Sequence, residues 1–145
     1  MTKALKQNFG DKKCTAVVCA MATMSSVEEF EDFMQQVQIA YPFIDTLAPW
    51  GHRETNLYLM LFGLRLEKEY LFKINEDSKK PKFNIDLVLE PKRPAFLTVK
   101  SENNPKRFHA IYWDGHQIYD PNPKVENKRP LADYKISRWA TIKTL

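Results

Sequence analysis

The hydrophobic period of this chain changes once, shortly after Gly63, and that change restricts the fold more than any other feature. Before it the apolar residues recur at helical spacing. Residues 13–23 leave little polar surface after Thr15, since Val17, Val18, Ala20 and Met21 are apolar, which predicts a short buried helix. Ser26-Val-Glu-Glu29 has the spacing of a capping box, and Phe30, Phe33, Met34 and Val37 follow on one helical face. Glu28, Glu29, Glu31 and Asp32 crowd the positive end of that helix dipole, and the helix is expected to stop before Pro42. A third helix is predicted from Thr55 as cap to Phe62, with Gly63 ending it. After the change the chain reads as strands over residues 65–74, 94–101, 107–113, 116–119 and about 137–142, with a short helix favoured at 84–90. Helices first and strands afterwards predict an α+β domain whose helices pack on an antiparallel sheet.

The 145 residues suit one domain with a single core, and 43% apolar with 28% charged residues excludes wholesale disorder. The longest nearly uncharged stretch, from Cys14 to Met24, is about half of what a membrane span needs. No apolar run of signal-peptide length opens the sequence, so a cytoplasmic protein with no membrane partner is expected. The net charge of +4 is uneven: residues 1–13 carry +3, residues 124–145 carry +4, and the middle carries −3. Without an Arg-rich helix or a stacking motif, these basic ends read as solvated surface, and nucleic acid is not expected as a partner. The polar run at residues 75–82 reads as an exposed loop. Two cysteines exclude a disulfide scaffold and offer no CxxC metal pair.

Asp114-Gly115 between two strand-like runs is a strong hairpin signal. A two-residue turn there puts Trp113 opposite His116 and therefore His109 opposite Asp120, with Cβ atoms roughly 4.5–5.5 Å apart on one face. A carboxylate at that distance can select the tautomer of an imidazole, orient the ring and stabilise its charged form. Cys14 and Cys19 point about 140° apart around the first helix, so they do not pair with each other. Cys19 lies among Val18, Ala20 and Met21 and reads as core. Cys14 stands at the helix start after Asp11-Lys12-Lys13, where the dipole and the lysines favour thiolate. One chain thus offers a thiol at a helix start and a His–Asp pair on a sheet, the parts of an activated nucleophile.

Two segments carry a resemblance: Asp11-Lys-Lys-Cys14-Thr-Ala-Val-Val-Cys-Ala-Met-Ala-Thr23, and Phe108-His109-Ala-Ile-Tyr-Trp-Asp-Gly-His-Gln-Ile-Tyr-Asp120-Pro-Asn-Pro123. Together they resemble the papain-like cysteine peptidases, and within them the bacteriocin leader peptidases that cut after a double glycine. The resemblance runs from about residue 7 to 123. It implies a papain-like fold, Cys14 as nucleophile, His109 as general base and then acid, Asp120 as the orienting residue, and a peptide or protein substrate with no cofactor and no metal. It also implies an oxyanion-stabilising amide before the cysteine, for which Gln7 and Asn8 are the candidates, Gln7 having the longer reach. The acidic residue that the family places just before the cysteine is displaced here to Asp11 by two lysines.

Other chemistries fit the same residues. A deamidase or acyltransferase would use the same triad and differ only in what the acyl-enzyme meets. A non-catalytic binding module would dock an acidic partner on the basic ends. A metal site from Cys14, His109 and His116 lacks CxxC or HxH spacing. His52 reads as a loop residue, and Trp50, Trp113 and Trp139 as packing, with Trp113 also placed to line a groove near the hairpin tip.

Overall fold

The computed structural model of the chain describes residues 3–7, 13–46, 50–67, 70–71, 93–100, 108–125 and 133–145. Among these, three helices precede six strands: α1 (Cys14–Thr23), α2 (Val27–Ala40), α3 (His52–Met60), β1 (Leu64–Leu66), β2 (Tyr70–Leu71), β3 (Ala95–Lys100), β4 (Phe108–Trp113), β5 (Ile118–Tyr119) and β6 (Ile136–Thr144). The strand pairings are all antiparallel, in the order β1-β6-β3-β4-β5, with β2 also on β6. The expected α+β class is the observed one. The loop expected at residues 75–82 and the helix expected at 84–90 lie outside the described residues, as do residues 68–69 and 72–74 of the expected 65–74 strand.

Local chemistry sets the helix limits. Met24 takes the left-handed conformation (φ 55°) after α1, and its N–H closes on the Ala20 and Met21 carbonyls. At Ser26 the hydroxyl accepts from the Glu29 N–H at 3.1 Å, as the capping box requires. The return half differs: the Glu29 carboxylate meets the Ser26 hydroxyl at 3.3 Å instead of its backbone N–H. The third helix starts four residues earlier than Thr55 as cap would place it. Gly51 is the N-cap, its N–H donating to the Glu54 carboxylate at 3.1 Å, and Thr55 donates its own hydroxyl to the Gly51 carbonyl from the first turn. His52 is therefore the first helical residue and not part of a loop.

The helices cover one face of the sheet. Val17, Val18 and Met21 of α1 and Leu59 of α3 pack with Phe96, Ala110, Tyr112, Ala140 and Ile142. The opposite face gathers Leu97, Val99, Ile111, Ile118, Ile136 and Trp139, with Trp113 and Tyr134 partly buried against them. Behind α1, Cys19 packs with Phe30, Met34 and Tyr58. The β3–β6 register shifts between Thr98 and Val99, a bulge that brings Ile136 and Trp139 to the same face despite their odd spacing.

The hairpin differs from expectation in register. Tyr112 pairs with Tyr119 and Trp113 with Ile118, so the turn centres on Gly115-His116 and not on Asp114-Gly115. Two observations explain the shift. The Asp114 carboxylate accepts from the N–H groups of His116 and Gln117, both at 2.8 Å, so Asp114 closes the turn from outside. Gly115 takes φ 100° at the first central position, where a primed turn favours glycine.

Candidate active site

The corrected register moves the position opposite His109 from Asp120 to residue 122. Because strand side chains alternate with period two, a slip of two residues keeps His109 and Asp120 on the same face as diagonal neighbours. They still meet: His109 Nε2 lies 2.5 Å from Asp120 Oδ1. The pair is enclosed, with the Asp120 side chain 2% exposed and that of His109 15%.

Cys14 reaches the ring from the helix side of the sheet. β5 pairs only with Tyr112 and Trp113, so the start of β4 has no strand partner on that side among the described residues. There the first residue of α1 meets the strand edge. Cys14 hydrogen-bonds His109, and backbone hydrogen bonds from Ala110 and Thr15 also reach its sulfur. Since Nε2 is held by Asp120, Nδ1 is the ring nitrogen left for the thiol. The sequence thus brings Cys14, His109 and Asp120 into one hydrogen-bonded chain.

The electrostatics follow from these contacts. Burial alone would push the Cys14 thiol up, but the His109 hydrogen bond and charge, with the Ala110 and Thr15 amides, hold it below its usual range. Thr15 carries one of the free amides of a helix start, as the dipole argument anticipated. The lysine contribution is different from the expected one: Lys13 pairs with Glu31 of α2 at 3.0 Å. Burial opposes the charged His109 ring, yet hydrogen bonds and charge from Asp120 and Cys14 raise its pKa to about 9. Burial likewise opposes an ionised Asp120, and the His109 bond and charge, the Asn122 amide and the Tyr134 hydroxyl lower it. The three groups together favour a thiolate–imidazolium pair beside a carboxylate. Cys19 is the contrast: full burial pushes its thiol up to about 12.

Tyr134 and Lys6 support the site with no local sequence signal, whereas Asn122 belongs to the motif that follows Asp120. Tyr134 donates its hydroxyl to Asp120 Oδ2 at 2.7 Å. The Asn122 N–H donates to Asp120 Oδ1 at 2.8 Å, and the Asn122 side chain in turn accepts from the Lys124 N–H at 3.0 Å. Lys6 donates to the carbonyls of Asp120 (2.6 Å) and Val125 (2.7 Å), fastening the N-terminal segment beside the carboxylate. Of the two amide candidates, Gln7 is half-buried with its backbone N–H on the Pro121 carbonyl at 2.8 Å. Asn8 lies outside the described residues. His116 sits exposed in the hairpin turn. No group of three or more His, Cys, Asp or Glu suited to a metal occurs among the described residues. No helix among them is long and apolar enough to cross a membrane. Compared with protein-family models, curated proteins and solved structures, the chain finds no match.

Proposed function

We propose that the protein is a cysteine peptidase of papain-like fold, acting on a peptide or protein in the cytoplasm through an acyl-enzyme on Cys14. The observation that carries this reading is the continuous chain from Cys14 through His109 to Asp120, with the carboxylate on Nε2 and the thiol left for Nδ1. The Cys14 thiolate attacks the carbonyl carbon, forming the C–S bond while the carbonyl π electrons move to oxygen. Collapse of that intermediate expels the amine, which takes a proton from His109. Neutral His109 then takes a proton from water, whose oxygen attacks the thioester, and keeps it as the acid product forms and Cys14 leaves as thiolate, which restores the starting ion pair. Asp120 holds the ring in orientation and stabilises its charged form throughout. The Cys14 backbone N–H and the Gln7 side-chain amide are the oxyanion donors in this scheme, Gln7 being tethered through Pro121 next to Asp120.

Incubation with peptide mixtures and protein extracts, followed by acid quench and mass spectrometry, tests the reading. An acyl adduct on the Cys14 peptide and free amine product are expected. The Cys14→Ala variant should keep the fold and lose both. Turnover that survives this substitution would overturn the proposal. Release of ammonia in place of an amine product would identify the deamidase alternative on the same three residues.

A further inference from the structure

Asp120 is almost fully buried, so both oxygens of its carboxylate need donors to keep the charge. Oδ1 takes His109 Nε2 and the Asn122 N–H, whereas Oδ2 is met by the Tyr134 hydroxyl at 2.7 Å. The terminal torsion of an aspartate is broad and nearly two-fold, so contacts to Oδ1 alone leave rotation of the carboxylate weakly defined. A donor on Oδ2 fixes its plane. Tyr134 is suited to this, because its ring packs against the buried cluster of β3, β4 and β6 and it lies two residues before β6. We propose that Tyr134 is a positioning residue of the candidate hydrolase, its hydroxyl locking the Asp120 carboxylate so that Oδ1 stays on His109 Nε2. The inference rests on the Cys14–His109–Asp120 reading.

Among the described residues, several groups face Asp120. His109 comes from β4, with Cys14 of α1 beyond the ring, Tyr134 from the segment before β6, and the Lys6 ammonium from the N-terminal segment on the Asp120 carbonyl. Tyr134→Phe removes one hydroxyl and keeps the ring. A carboxylate deprived of that donor holds its charge less readily and supports the imidazolium less, so the charged state of His109 reports the contact.

The test needs no substrate. His109 is followed by nitrogen-15 NMR from pH 5 to 10.5 in the wild type and in Tyr134→Phe, with resistance of Cys19 to alkylation as the check of folding. The expected wild-type midpoint is about 9, and the variant midpoint should fall by roughly half a pH unit to one unit. A wild-type midpoint near 9 with an unmoved variant overturns the role of Tyr134 and leaves the triad intact. A wild-type midpoint near the ordinary 6.5, with Cys14 alkylating as an ordinary thiol, overturns the triad and the inference together. If the variant does not fold, the ring Cζ carbon of Tyr134 is followed in the wild type. An inflection at the His109 midpoint supports the contact, and its absence overturns it.

Discussion

Cys14 and Cys19 are five positions apart on one helix, yet their surroundings drive them in opposite directions. Cys14 has a cation and two amides to stabilise its negative charge, whereas full burial dominates at Cys19 and pushes its thiol to about 12. Iodoacetamide at pH 6.5 should therefore label Cys14 within minutes, leaving Cys19 untouched until denaturant is added. Equal slow labelling of both, read by peptide mapping, would remove the ion pair. His109 gives a second check. Its imidazole loses the proton near 6.5 when unfolded and near 9 when folded, so its charge stabilises the fold fully below 6.5 and that contribution disappears as pH rises through 9. Asp120 has the opposite sense: its contribution is present above 3.8 and is lost as pH falls through its lowered folded value. Urea melts of the wild type and His109→Gln should thus differ most between about pH 5 and 6.5 and converge toward pH 10.

The secondary elements show which parts of the site were legible in the sequence. The Cys14 helix and the strands at His109 were readable because their apolar periods are local. The turn was misplaced by one residue because Asp114 acts through its side chain, closing the turn instead of occupying its centre. The His–Asp contact is kept because the pairing of the two strands slips by an even number of residues along the pleat. Tyr134 and Lys6 were not legible: their contacts to Asp120 and Val125 join segments that come together only in the finished fold, and no spacing rule links them. The helix starts behaved similarly. Ser26 declared itself three residues before a Glu, whereas the glycine cap of α3 has no side chain to signal it. Ser26→Ala should cost about 1 kcal/mol, lowering the melting temperature by roughly 3 °C, with no change in Cys14 labelling. A slower labelling rate would show that the α2 cap is coupled to the site.

On the scale of the whole molecule, the candidate site is assembled from segments far apart in sequence. The Cys14 thiol belongs to the first helix, the His109 ring and the Asp120 carboxylate to the β4–β5 hairpin, and the Tyr134 hydroxyl to the segment before β6. The His109–Asp120 bond spans 11 residues, but the hydrogen bonds that fasten Lys6 to Asp120 and Val125 span 114 and 119. Short loops close sooner and at lower entropic cost than long ones. Refolding from urea should accordingly build the hairpin before α1 docks on the start of β4. The Cys14 sulfur then serves as a clock: it behaves as an ordinary thiol early in refolding and gains its low-pH reactivity only when α1 and the hairpin have met.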